Sequence, residues 1–218
     1  TALQVDNINI NANTITASSD LTLDVTGDID IDAGGEEVTV DSDVFTFLSG
    51  VSNKPIVRIR KTGNDTTAPE FRFQKDKGAV GVDGDDIGVI NFVSDDTVQT
   101  QTTFARILAE VSEADNTDEA GKLTLSVAES DGTTTALTAG LVIEGEHATD
   151  GQVNVTIAAG AASVTTVAGD LTVNGDTVTF QSANADDPHV VIKNTHNSTD
   201  NGARLDFYTT DGNASESK

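Results

Sequence analysis

Apolar and polar side chains alternate along residues 3–47 in short bursts. Leu3-Gln4-Val5, Ile8-Asn9-Ile10, Leu21-Thr22-Leu23-Asp24-Val25, Ile29-Asp30-Ile31, Val38-Thr39-Val40 and Phe45-Thr46-Phe47 each place alternate side chains on one face, the period-two signature of a half-buried strand. Turn-forming stretches separate them: Asn11-Ala12-Asn13, Ser18-Ser19-Asp20, Gly27-Asp28, Gly34-Gly35 and Asp41-Ser42-Asp43. Strands this short bury little surface by themselves. The pattern predicts a solenoid or interlocked β-helix, in which neighbours supply the missing core.

Longer strands follow. Residues 54–61 (KPIVRIRK) and 70–75 (EFRFQK) flank a turn at 62–69 and hold half of the chain's basic residues. Their Arg and Lys alternate with Ile, Val and Phe, so the expectation is a solvated strand face paired with carboxylates across strands. Between 79 and 143, further strands are expected in DGDDIGVINFVSDD, GKLTLSV and ALTAGLVIEG. Phe104–Glu113 fits two readings. Phe104, Ile107, Leu108 and Val111 recur at helical spacing, whereas Ala105, Ile107, Ala109 and Val111 line one face of a strand. Context favours a hairpin with Lys122–Val127. Residues 151–180 return to the short alternating style, rich in Gly and Ala that allow close backbone approach.

The chain also repeats itself. At an offset of 133, Thr39, Val40, Asp43, Thr46, Phe47, Ser49, Pro55, Val57, Ile59, Thr62 and Asn64 recur as Thr172, Val173, Asp176, Thr179, Phe180, Ser182, Pro188, Val190, Ile192, Thr195 and Asn197. The repeat predicts four parts: a slender alternating β stalk over 1–47, a broader β-module over 48–150, a slender joint over 151–180, and the start of a second module over 181–218. That second module stops before its equivalent of GVINF, so the natural protein is expected to continue. Thr1 in a chain without methionine likewise predicts a processed product or a segment of something longer.

Composition narrows the function. Against 12 basic residues stand 36 acidic ones, a formal net charge of −24. This argues against nucleic acid, which needs a basic footprint, and against an anionic membrane surface. Such charge keeps molecules apart in solution while costing stability through self-repulsion. There is no cysteine, hence no disulfide, thiolate ligand or thiol nucleophile. No apolar run approaches the length of a membrane-spanning helix. Eight Phe, one Tyr and no Trp are sparse for a conventional core and predict thin layers of β-branched side chains.

The stretch PIVRIRKTGNDTTAPEFRFQKDKGAVGVDGDDIGVINFVSDD, followed by FARILAEV and GKLTLSV, resembles the repeat of long tail fibres and related appendages of tailed bacteriophages. The resemblance covers roughly residues 36–212 and rests on strands and turns. It implies a parallel homotrimer along a three-fold axis and carries no active-site residues. The resulting expectation is an all-β, elongated fibrous homotrimer, with short-strand β-helix or β-prism stalk segments alternating with broader β-modules. Its function would be that of a fibre shaft in the virion, spacing a host-binding tip that lies outside this chain. Expected partners are other copies of itself, other virion tail or fibre proteins and, through the tip, the host cell surface. No nucleic acid and no membrane insertion are expected. The alternatives are a bacterial extracellular adhesin or surface-layer repeat and, less favoured, a glycan-degrading tailspike.

Candidate chemistry is thin. His147, His189 and His196 are scattered, and His189 and His196 replace Ile56 and Gly63 of the first copy. They are expected to be exposed or structural. Asp24, Asp28, Asp30 and Asp32, and likewise Asp83, Asp85 and Asp86, are oxygen-rich clusters of the kind that bind Ca²⁺. They lack an EF-hand or β-roll pattern, so solvated acidic faces are expected, with a Ca²⁺ site as the minor alternative. No nucleophile elbow, P-loop or zinc spacing occurs. Sugar-cleaving grooves lean on aromatic platforms that this chain lacks. No catalytic, cofactor-binding or metal residue is therefore assigned, and no enzyme is expected.

Overall fold

The computed structural model describes residues 18–34, 37–146, 151–158, 162–175, 177–181 and 190–193, with residues 148, 160 and 205. The chain divides into two units, Thr1–Phe71 and Arg72–Lys218.

The second unit contains a five-stranded antiparallel sheet: β1 (Asp86–Asp95), β2 (Gln101–Glu113), β3 (Ala120–Ser130), β4 (Thr135–Gly145) and β5 (Val153–Ile157). The strands lie in chain order, β1-β2-β3-β4-β5, so each pairs with its sequence neighbour and β3 is central. The architecture is thus all-β, an open sheet with no helix among the described residues. Phe104–Glu113 resolves as strand: Ala105 to Val111 pair with Val127 to Gly121, the hairpin that context favoured. Val153–Ile157, assigned by the repeat to the slender joint, pairs with β4 and completes the sheet.

Aspartates close two of the hairpin turns. Between β1 and β2, one carboxylate oxygen of Asp96 accepts from the backbone N–H of Val98 (2.8 Å) and of Thr100 (2.9 Å). Between β3 and β4, Asp131 accepts from the N–H of Thr133 and of Thr134, both at 2.8 Å. These are the local side-chain-to-backbone bonds that favour Asp in turns. Gly132 in the same turn has φ +89°, a conformation that only glycine adopts without penalty. Single-residue irregularities interrupt the β1–β2, β2–β3 and β3–β4 ladders, each adding local twist. Gly140 occupies the one in β4.

Register assigns the faces. Residues opposite one another share a face, and successive residues alternate. One face carries Ile90 and Phe92 from β1, and Ala105, Ile107, Ala109 and Val111 from β2. The same face carries Leu123, Leu125 and Val127 from β3, Leu141 and Ile143 from β4, and Val153, Val155 and Ile157 from β5. Its middle is apolar across all five strands, and Glu129 and Thr138 lie on it toward one end of β3 and β4. The other face mixes Val89, Leu108 and Val142 with Asn91, Arg106, Glu110, Lys122, Thr124, Ser126, Glu144, Asn154 and Thr156.

Among the described residues no core forms: no hydrophobic side chain is buried, and Ser126 alone is, at 8 % exposure. Folded domains normally bury one layer of secondary structure against another; among the described residues no second layer covers the apolar face of this sheet.

Residues 18–85 form no strand ladder among the described residues. The strands expected at 54–61 and 70–75, and the short alternating strands between 18 and 47, form no ladder with one another or with β1–β5 among the described residues; the bursts at 3–5 and 8–10 lie outside the described residues. Segments of three to eight residues cannot satisfy their own backbone groups; a strand needs a neighbour to pair with. In the basic stretch Lys61 makes a local ion pair with Asp65 at 2.6 Å and bonds the Thr67 hydroxyl, and Lys75 pairs with Asp85 at 3.0 Å. In the first unit the Phe45 and Phe47 rings, on one side of an alternating burst, meet edge to face at 4.7 Å and 82°, a favoured aromatic geometry.

Candidate functional site

The residues singled out for chemistry separate into three groups. His147, His189 and His196 lie outside the described residues. Asp24, Asp28, Asp30 and Asp32 are exposed, and no group of three or more His, Cys, Asp or Glu is placed to hold a metal ion among the described residues. Asp83 and Asp85, expected to be solvated, instead hold a loop.

Asp85 is the centre of that lock. One oxygen accepts from the Lys75 ammonium at 3.0 Å. The other accepts from Lys77 at 2.6 Å and from the backbone N–H of Val82 at 3.0 Å. The Asp85 side chain is only 16 % exposed. Its carboxyl is held far below the usual carboxylate range, first by the Lys77 hydrogen bond, then by Lys75 and the Val82 N–H. The backbone continues the lock onto the sheet: Gly84 N–H donates to the Val111 carbonyl at 2.8 Å, and Val111 N–H donates to the Asp85 carbonyl at 2.9 Å. Asp83 accepts from Ala114 N–H at 3.0 Å. Gly84, at φ +81°, makes the turn geometry accessible. Asp86 opens β1 opposite Glu110. Loop 75–85 is thereby fastened to the end of β2, beside a cleft of about 310 Å³ lined by Lys75, Lys77, Asp85, Ile87 and Val111.

Just ahead of the loop, Phe73 sits on the apolar face at the β1 edge. A Cβ on Gly88 would lie 2.8 Å from Phe73 Cβ and 2.9 Å from its Cγ, so glycine there is a requirement of close approach. At the far end of the same face a groove of about 760 Å³ opens among Val127, Glu129, Thr138, Ile157 and Val164. The Thr138 hydroxyl donates to Glu129 at 3.2 Å. The lining mixes the aliphatic Val127, Ile157 and Val164 with the polar Glu129, Thr138, Ser163 and Thr165.

The most unusual feature is the apolar face itself. On central β3, Leu123, Leu125 and Val127 are 36 %, 36 % and 58 % exposed, while Lys122, Thr124 and Ser126 on the opposite face are each better covered. Burial is inverted: the polar side of the strand is sheltered and its apolar side is open. On the polar face Lys122 pairs with Glu110 at 3.2 Å. Sequence alternation marks both faces but cannot say which one a single chain leaves uncovered. The Asp85 lock was equally hidden, because its donors meet only when loop 75–85 folds back on itself. An Asp-Gly-Asp turn beside two lysines was the available signal.

No protein-family model matches the chain, no curated protein matches its sequence, and no solved structure matches its fold.

Proposed function

We propose that this chain is a structural segment of a trimeric fibre, a tail-fibre shaft or related virion appendage, that spaces and orients a receptor-binding tip. One observation carries the reading: hydrophobic side chains recur at alternate positions in both units, yet none among the described residues is buried within the chain. A polypeptide in this state gains its hydrophobic stabilisation from association. The 133-residue repeat supports a rod made of successive modules. Its equivalent positions are left open to the same degree: Phe47 and Phe180 are 54 % and 63 % exposed, Ile59 and Ile192 48 % and 45 %. Charge supports it too, since a net −24 holds neighbouring rods apart. The function is mechanical and needs no catalytic group.

Native mass determination with negative-stain imaging tests the proposal. An elongated trimer is expected, and a compact monomer overturns it. Repeating the measurement with a calcium chelator separates the adhesin alternative, which requires calcium-dependent monomeric units.

A further inference from the structure

The apolar face of the β1–β5 sheet is, we infer, the surface through which copies of this chain join, each sheet covering the same face of another copy. This rests on the fibre reading and deepens it by naming the contact; labels on the two faces of the sheet separate its failure from the failure of that reading.

The argument starts from β3, where Leu123, Leu125 and Val127 are more exposed than the polar residues between them. A central strand with its apolar side open has lost a covering layer. Among the described residues the chain's own cover is small: Phe73 reaches Gly88 at one edge, and Val164 lines the groove at the other end. Between them Ile90, Phe92, Leu125, Val127, Val155 and Ile157 stay 36–58 % exposed, a contiguous apolar patch across β1, β3 and β5 of the kind that marks a contact surface.

Its chemistry indicates what covers it. The central part of the face holds no charged group; Glu110, Lys122 and Glu144 all project from the opposite side. A partner of different sequence would be selected by complementary charge and hydrogen bonds, which this face does not offer. Uniformly apolar interfaces that resemble a core cut in half are those of obligate assemblies of identical subunits. The same apolar faces of the other copies, with equal twist and length and turned toward a common axis, are its natural complement. Apolar side chains of the first unit are open as well, among them Leu23, Ile31 and Phe47. A second copy carries the same open apolar positions in its own first unit and so offers them cover as well.

Two substitutions on neighbouring residues test the face. Leu125→Asp puts a carboxylate on the apolar side; Thr124→Asp puts one on the polar side, next to Lys122. Sedimentation equilibrium of the full chain is expected to show self-association weakened at least about a hundred-fold by Leu125→Asp, because an unpaired charge would be buried at the contact. Thr124→Asp is expected to change it by less than about three-fold. Should Leu125→Asp fail to fold, spin labels decide. The chain has no native cysteine, so Leu123→Cys and Thr156→Cys each give one label per copy. Strong coupling between chains is expected at 123 and weak coupling at 156. A monomeric wild type, or equal coupling at the two positions, overturns the inference. An elongated trimer coupled through the polar face removes the inference and leaves the fibre; a compact assembly coupled through the apolar face does the reverse.

Discussion

The sheet over residues 86–157 and the first unit, described over residues 18–71, fall short of independence to different degrees. In the sheet, each strand has a ladder partner in the same chain, so the backbone is paired except along the outer edges of β1 and β5, and apolar burial is missing. In the first unit neither is supplied among the described residues: no ladder forms, and Leu23, Ile31, Val40 and Phe47 are exposed. Backbone pairing and core formation, usually gained together, are here separate. A meander of long strands achieves the first through local hairpins. Bursts of three to five residues achieve neither, because each hairpin would close on too few bonds to offset its ordering entropy.

The comparison makes its largest prediction in hydrogen exchange. If other copies supply the missing ladder, amides of residues 54–61 in the assembled protein are protected to within about ten-fold of those in β2 and β3. Dissociated chains should then lose that protection by a factor of at least about a thousand, while β2–β3 amides keep part of theirs. Unprotected amides at 54–61 in the intact assembly would break the comparison: other copies would then not supply this stretch of the first unit with a ladder.

A smaller effect sharpens the sheet side. Gly88→Ala places a methyl against Phe73 Cβ and Cγ, backbone-near atoms that cannot swing aside. The expected cost is about 1–3 kcal/mol of overpacking strain, read from reversible denaturation at fixed protein concentration. In a Phe73→Gly background most of that cost should vanish, which a double-mutant cycle reports as coupling. A neutral Gly88→Ala would mean that Phe73 is not seated on the β1 edge.

Much of the sheet was legible in the alternation. Ile87 to Val93, Leu123 to Val127 and Leu137 to Ile143 read as strands, and the hairpin that joins β2 to β3 follows from their adjacency. What stayed hidden has physical reasons. Phe104–Glu113 satisfies helical and strand periods at once, so pairing with β3 decides it. Val153–Ile157 resembles the slender segments in composition, and only the register of β4 recruits it. The direction in which the apolar face opens depends on what is absent from the chain, which periodicity does not encode. Among the acidic residues, abundance conceals function: Asp85, Asp96 and Asp131 hold loops and turns, while Asp28 and Asp30 lie exposed. Net charge treats them alike.

The smallest effect concerns Asp85, and it separates the lock from the sheet it fastens. Its carboxyl sits below the unfolded value in the folded chain, so the folded state favours the ionised form. The stabilisation is fully present above the unfolded value, near pH 4, and is lost as pH falls through the lower folded value. Amide exchange at Gly84 and Val111, the two N–H groups that tie loop to strand, should therefore stay slow through neutral pH and speed up only in strong acid, after correction for intrinsic rates. Asp85→Asn abolishes the two charged contacts and should accelerate exchange at those amides by about five- to ten-fold at neutral pH, leaving β3 and β4 unchanged. Acceleration that spread to β3 would mean that the loop supports the whole sheet. Confinement to Gly84 and Val111 makes the lock a local fastening and leaves the sheet's stability to its own ladders and to whatever covers its apolar face.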